Sequence, residues 1–549
     1  MGRQMAALGM CVLVTPSLAA DLPDAGRSLE SVKQAPELPA KPATALPAEP
    51  SPRPALHLPS DLKIPVRGFI ISGAKAFPES ELLDLVEGAE DKELTLAELQ
   101  TVVERITRYY RAHGYLLAWA YLPAQEIRDG LVEIAVLEGR LGKVTVDNRA
   151  SLSSGAVERH LSDLRSGEVV KAGNLERDLL MLNDLPGVEV KSTLKPGAAV
   201  GTTDLDIRLE EGRRLTGALD VNNYGNRYIG DIRGGLTLNL NNPSGHGDAA
   251  TLRGVTSGNG LSYGRLAYQL PVNGAGTRLG VAYSDMRYHL GMDFSSLQAH
   301  GSASVSSLYL LQPFVRSRSA NLNAQLAFDR KRLEDRVDVT ATLSDKTLDV
   351  WTLGLSGDRM DRLGGGGLNT WSVNLVSGTL DLDPDSRVLD AAGLRTEGSY
   401  LKLGYQYARL QRLGERFSLY GQLSGQWAGK NLDSAEKFSL GGPYGVRAYP
   451  QGEAPSDDAW LLNLEVRYRL AADWQLAAFA DGGEGRLSHS PLPTDVRNTR
   501  TLSGAGLGLV WSRPASFGVS GFLAWKTAAD PSSDVDRSPR VWVQGVKYF

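Results

Sequence analysis

One cysteine, Cys11, is all that the 549 residues contain, and it lies within the apolar stretch that opens the chain. With that stretch removed as a leader, the mature chain holds no cysteine, which suits an oxidising compartment and a fold that does not depend on disulfides. No later segment approaches 18 uncharged apolar residues, so a helical membrane protein is excluded. A transmembrane barrel is not excluded, because its strands carry only weak alternation. Charge of one sign is also missing. The chain has 59 basic and 63 acidic residues, a formal net charge of -4 and no long run of either sign, so neither a nucleic-acid footprint nor a polyanionic partner is expected.

Signatures of chemistry are equally scarce. The seven histidines are scattered without metal-ligand spacing, and His113 beside Gly114 reads as the end of a helix. There is no P-loop. Gly260-Leu261-Ser262-Tyr263-Gly264 matches the nucleophile-elbow pattern, but that elbow requires a strand-to-helix turn and this segment runs on as a strand to Tyr268 and Pro271. No enzyme activity, catalytic residue, metal or cofactor is expected.

What the chain does contain is ordered along its length. Arg3, the apolar run Met5 to Val14 and the small-x-small signal Ser17-Leu18-Ala19 read as a secretory signal peptide over 1–19, and Met10 before Cys11 does not suit a lipoprotein cleavage site. Residues 20–65 form a linker with spaced prolines from Pro36 to Pro59, extended and stiff. Within it, Ala25 to Gln34 is either disordered or a short amphipathic helix, and ten residues are marginal as a helix in water unless they pack on something. From Arg67 onward landmarks recur at a spacing of 73 residues: Glu138-Gly139-Arg140 with Glu211-Gly212-Arg213, and Gly114-Tyr115 with Gly187-Val188. Each copy reads strand, helix, helix, strand, strand, with Leu99, Val102, Val103, Ile106 and Tyr110 on one helical face in the first and Leu175, Leu179, Leu182 and Leu185 in the second. Two small α+β modules are expected, over 66–140 and 141–213.

From Leu215 helical periodicity vanishes. Sixteen candidate strands begin near residues 215, 231, 248, 261, 277, 301, 321, 346, 365, 399, 415, 459, 474, 501, 517 and 540. That is about 21 residues per strand with its turn, which suits membrane strands with short turns on one side and longer loops on the other. An even count lets an antiparallel barrel close without edges, so 214–549 is expected to be a 16-stranded all-β barrel. A soluble pair of β-sandwiches or a propeller is the alternative, although the 40- to 50-residue period of a propeller is not seen.

Between the eleventh and twelfth of these strands lies Gly441-Gly-Pro-Tyr-Gly-Val-Arg-Ala-Tyr449, a glycine-loosened loop with one arginine. The thirteenth strand carries Phe479-Ala480-Asp481-Gly482-Gly483, and the last ends at Phe549, with Lys547 breaking its apolar alternation. With the leader, the linker and the two modules, these features resemble the outer-membrane transporters of two-partner secretion, the TpsB type of the Omp85 superfamily, over nearly the whole chain. Val446-Arg447-Ala448-Tyr449 resembles the family's Val-Arg-Gly-Tyr at the tip of the sixth extracellular loop, with Ala448 in place of glycine. Phe479, Asp481 and Gly483 resemble its Phe-x-Asp-x-Gly.

The resemblance implies that the modules are periplasmic POTRA domains, and that the barrel lies in a bacterial outer membrane and secretes one large unfolded exoprotein of the haemolysin or adhesin kind. It also implies a lumen loop held by Arg447 and Asp481, beside which the Ala25 to Gln34 segment is a candidate plug helix, and a terminal Phe549 read by the barrel-assembly machinery, with outer-membrane lipid around the barrel. An Omp85 assembly factor would share the loop but usually carries more modules, and a passive porin or receptor should lack both arm and loop.

Overall fold

The computed structural model of the protein describes residues 23–32, 63–493, 495 and 497–549. The expected leader, and the linker apart from 23–32 and 63–65, lie outside these. The first element is a single helical turn and a half, α1 (Ala25–Glu30).

Two α+β units follow. The first runs β1 (Lys63–Val66), β2 (Gly68–Ser72), α2 (Glu79–Asp84), β3 (Lys92–Thr95), α3 (Leu96–Ala112), β4 (Trp119–Tyr121) and β5 (Leu131–Leu137). The second is β6 (Arg140–Asn148), α4 (Ser154–His160), α5 (Ala172–Asn183), β7 (Val188–Pro196) and β8 (Thr202–Glu211). Their three-stranded sheets have one topology: the last strand lies between the first, to which it is parallel, and the preceding one, to which it is antiparallel.

Local chemistry explains the match. Thr95 and Glu98 form a reciprocal capping box that starts α3. Gly114 and Gly187, 73 residues apart, lie between each long helix and the next strand with left-handed backbone, φ at +89° and +74°, which glycine adopts without strain. The paired glutamates do the same work: Glu138 accepts from the N–H groups of Lys75 and Ala76, and Glu211 from that of Ser151, so each final strand is stapled to the loop after the first. The apolar face of α3, from Leu99 to Tyr110, is buried against β2 and β5. The first unit carries one addition to the repeat, the small β1–β3 ribbon.

The rest is one closed antiparallel barrel of 16 strands. Its first half comprises β9 (Leu215–Asn222), β10 (Arg233–Asn241), β11 (Ala249–Thr256), β12 (Leu261–Pro271), β13 (Arg278–His289), β14 (Ala299–Arg316), β15 (Ala320–Val337) and β16 (Thr342–Asp361). β17 (Gly367–Leu382), the loop helix α6 (Pro384–Ala392), β18 (Gly398–Arg412) and β19 (Phe417–Ala428) continue it. The loop after β19 holds a two-residue ribbon, β20 (Phe438–Ser439) with β21 (Pro455–Ser456). Then come β22 (Asp458–Arg469), β23 (Trp474–Arg486), β24 (Thr499–Arg513), β25 (Phe517–Lys526) and β26 (Arg540–Tyr548). β26 closes on β9 from Gln544↔Asn222 to Tyr548↔Ala218, and Phe549 and Gly217 exchange both backbone hydrogen bonds below that. The Gly-x-Ser-x-Gly segment leads into β12 as plain strand.

Leu279, Val281 and Tyr283 on β13, and Trp351, Leu353 and Leu355 on β16, are exposed on the outside, the apolar surface of a membrane barrel. The second α+β unit docks on the turns at one end of the barrel. Arg316 grips Asp184 through two hydrogen bonds of 2.6 and 2.7 Å, Arg278 donates to the Asp184 carbonyl, Arg318 pairs with Glu176 and Ser153 N–H donates to the Gly245 carbonyl. The short turns therefore face the modules, and the long loops, including 429–457, leave the opposite end.

Candidate functional site in the barrel lumen

The loop between β19 and β22 does not stay outside. Its segment from Leu440 to Glu453 folds back as a hairpin whose Leu440, Val446 and Tyr449 are fully buried among Leu461, Phe479 and Leu502 of the wall. The base of the hairpin closes where the Leu440 and Gly441 N–H groups donate to the Glu453 carbonyl, and Val446 N–H donates to the Leu440 carbonyl at 2.8 Å. Glycine is required here: a Cβ at Gly445 would lie 2.2 Å from the Leu440 carbonyl oxygen.

Arg447 stands at the tip. Its Nε and Nη2 donate to the two Asp481 oxygens at 2.9 and 2.8 Å, its backbone N–H also reaches Asp481 Oδ2, and its Nη1 donates to Glu465 Oε1 at 2.6 Å. Arg467 occupies the other Glu465 oxygen, and Asn463 Nδ2 bridges Asp481 and the Gly445 carbonyl. The guanidinium carbon lies 3.5 Å from the Phe479 ring centroid and 5.3 Å from that of Phe522. Two cations and two carboxylates balance, every acid is shared, and Arg447 and Asp481 are only 5% and 4% exposed. Such a forked, stacked pair fixes direction as well as charge, and no lysine reproduces it.

The remaining motif residues shape the seat. Ala448 has an ordinary backbone, outside the left-handed region, so the glycine expected from the resemblance is not needed for conformation. Tyr449 donates its hydroxyl to the Ala529 carbonyl, and Trp542 on the closing strand donates Nε1 to the Arg447 carbonyl, both at 2.7 Å. Gly483 leaves room for Leu440, since a Cβ there would come within 3.0 Å of Leu440 Cδ2. Phe549 is remote from this site, at the module end of the seam, with its ring against Gly217.

Sequence reasoning missed Asn463, Glu465, Arg467, Phe522 and Trp542. The first three carried a signal: they are the polar residues of the alternating strand β22, and an alternating strand of a membrane barrel turns its polar side to the lumen.

A second body fills the lumen above β13 to β16. Helix α1 lies there with Ala25, Leu29 and Val32 packed in one cluster with Met286, Tyr288, Leu333, Leu348 and Val350. Asp24 caps its start, Ala25 N–H donates to Asp335, and Arg233 donates to the carbonyl and hydroxyl of Ser31 at its end. Gly26 meets the lumen loop so closely that a Cβ would lie 2.6 Å from the Ala435 nitrogen. That part of the loop is itself anchored by the ion pairs Lys346–Asp433, Lys331–Glu436 and Lys402–Glu436, at 2.9, 2.6 and 2.8 Å.

Residues 201–510 match the family model described as haemolysin secretion/activation protein ShlB/FhaC/HecB, and residues 64–139 match that of the ShlB-type POTRA domain. The chain is 29% identical to the heme/hemopexin transporter protein HuxB of Haemophilus influenzae strain 86-028NP, over 98% of this chain and 97% of that protein. It is 22% identical to the hemolysin transporter protein HpmB of Proteus mirabilis, over 76% and 75%. Among solved structures, CdiB from Escherichia coli superposes with a TM-score of 0.72 at 20% identity, covering 91% of this chain and 93% of that one, and shares the fold. Lumen helix, soluble arm, closed barrel and buried lumen hairpin thus fall together: the chain belongs to the ShlB/FhaC/HecB family of haemolysin secretion and activation proteins, the outer-membrane transporters of two-partner secretion.

Proposed function

We propose that export is gated at Arg447. A 16-stranded barrel is wide enough to leave an aqueous channel, so a resting transporter of this size needs a plug. In our reading the hairpin latched by Arg447 on Asp481 and Glu465, together with α1, is that plug. The units at 66–140 and 141–213 act as two POTRA modules that receive the unfolded partner, most simply as a strand added to an exposed sheet edge, where backbone hydrogen bonds give affinity. The partner then threads the barrel of 214–549, and its folding outside biases transport outward.

The observation that carries this reading is the burial of a charge-balanced arginine fork at the tip of a loop that spans the lumen. Such a contact holds while intact and is costly to break by removing one partner, since the other charge is then stranded. In this reading Phe549 serves the barrel-assembly machinery as a terminal signal, and lipid covers the apolar exterior. The exported partner is a large exoprotein of the haemolysin or adhesin kind. The name of the HuxB relative favours a second class, a partner that handles haem or hemopexin.

The test is export by the Arg447→Ala variant. Secretion of the partner should stop while the barrel still inserts and keeps its heat-modifiable mobility. Normal secretion would remove the hairpin from the mechanism.

A further inference from the structure

Glu453 ends the lumen hairpin and is fully buried, yet it is no part of the Arg447 network. Its carboxylate is saturated by five donors. Oε1 accepts from Arg500 Nη2 at 2.7 Å and from the N–H and hydroxyl of Ser532 at 2.9 Å each, while Oε2 accepts from the N–H at 2.9 Å and the hydroxyl of Ser533. Ser532 and Ser533 belong to the surface loop 527–539 between β25 and β26, the same loop whose Ala529 carbonyl accepts the Tyr449 hydroxyl. Through its own carbonyl Glu453 also closes the hairpin on Leu440 and Gly441. One residue therefore ties the base of the hairpin to itself and to a loop at the cell surface.

We propose that Glu453 is a second positioning residue of the gate: it clasps the lumen hairpin to loop 527–539, so the hairpin leaves the lumen only when that surface loop lets go. The inference rests on the reading of the hairpin as the gate. It gives the gate two unlike anchors. The Arg447 anchor is inside the barrel wall, and removing its arginine strands Asp481 beside Glu465. The Glu453 anchor faces a loop that can turn to water. Without the carboxylate, Arg500 keeps the Asp530 carbonyl at 3.1 Å, and the serine N–H groups can be solvated. Loss of Glu453 should free the hairpin without unsettling the barrel. Because the clasp is built from the loop leading into β26, contact with that loop from outside would act directly on the gate.

The experiment uses the full-length protein in outer membranes, with Cys11 replaced by serine and a reporter thiol at Ser456→Cys, a fully buried site beside the hairpin base. A membrane-impermeant maleimide is applied to intact cells, and heat-modifiable mobility reports the folded barrel. Glu453→Gln should raise labelling several-fold with mobility unchanged. Ser532→Ala with Ser533→Ala should raise it less, and should add nothing to Glu453→Gln, because both act through one contact. Labelling of Glu453→Gln at the wild-type level, or effects that simply add, would overturn the clasp. Arg447→Ala is the separate arm: if it labels strongly while Glu453→Gln does not, the gate stands and the clasp fails. If Glu453→Gln labels and Arg447→Ala does not, the clasp holds the hairpin and the arginine latch is wrong.

Discussion

Ala448 fits into the notch left by Gly504: a Cβ built on Gly504 of β24 would lie 2.5 Å from the Ala448 methyl group. Neither residue has the left-handed backbone that demands glycine, so the relationship is one of volume. Gly504→Ala should therefore push the hairpin off its seat and lower export, with the barrel intact. Ala448→Gly in the same chain should restore part of it. The recovery is partial because the new methyl also meets the Trp525 carbonyl oxygen at 2.9 Å. Secretion of the partner from the single and double variants decides the matter, and equal defects in both would show that the notch is not what seats Ala448.

Arg447 makes its four contacts to two acids, and this changes what a charge exchange should do. Placing aspartate at 447 and arginine at 481 would re-form one pair but set the new carboxylate against Glu465. The exchange should therefore fail to restore export, whereas Arg447→Lys should keep a weak residual level, since lysine supplies the charge without the fork. Stranding the acids costs on the order of 3 to 5 kcal/mol locally, which loosens the hairpin rather than the 16-strand wall. Channel openings of purified Arg447→Lys, fewer than those of Arg447→Ala and more than those of wild type, are the expected readout.

The lumen helix offers a cleaner handle, because its two ends are held differently. Arg233 binds the carbonyl and hydroxyl of Ser31 at the helix end, and Gly26 abuts the Ala435 backbone near its start. Gly26→Val cannot be seated without moving the loop, while Arg233→Ala removes the cap and leaves the packing. Both should raise the steady conductance of the protein in planar bilayers, Gly26→Val more. Unchanged conductance in both would mean that α1 does not limit the channel.

How far the sequence discloses this architecture depends on the kind of contact. Alternation is local, so each strand start can be read from its own residues, the largest shift being β16, which begins at Thr342 where residue 346 is expected. The 73-residue repeat is legible for the same reason, since Gly114 just past the cap of α3 and Gly187 in the turn before β7 each mark a local left-handed turn between helix and strand. Register is not local. Asn463 faces Asp481 across β22 and β23, and Trp542 meets Arg447 only because the barrel closes. Glu465 could be placed on the lumen side from its strand, but nothing in its neighbourhood pairs it with residue 447. The helix near Ala25 is the sharpest case. Six residues cannot hold a helix alone in water, and what stabilises this one comes from Arg233, Asp335 and Ala435, hundreds of positions away.

The soluble arm carries a test of its own at Asp178. This residue of α5 is buried, one of its oxygens has no hydrogen-bond partner, and burial with the nearby Asp163 carboxylate pushes its pKa up to about 6, against a smaller pull from Arg177. The raised pKa means that the folded arm prefers the neutral acid. Its contribution is present in full below about pH 4, where the unfolded chain also holds the proton, and is lost as pH rises through about 6. The second unit should therefore be less stable at pH 7 than at pH 4.5 by this group alone, by on the order of 2 kcal/mol. Asp178→Asn keeps the shape without the charge, so it should slow amide hydrogen exchange in α5 at pH 7 and leave it nearly unchanged at pH 4.5. Because α5 also bears Glu176, which grips Arg318 on a barrel turn, a stiffer α5 should hold the arm more firmly against the barrel at neutral pH. Exchange in α5 that responds equally to the substitution at both pH values would mean that the carboxylate is solvated in the folded arm and carries no strain there.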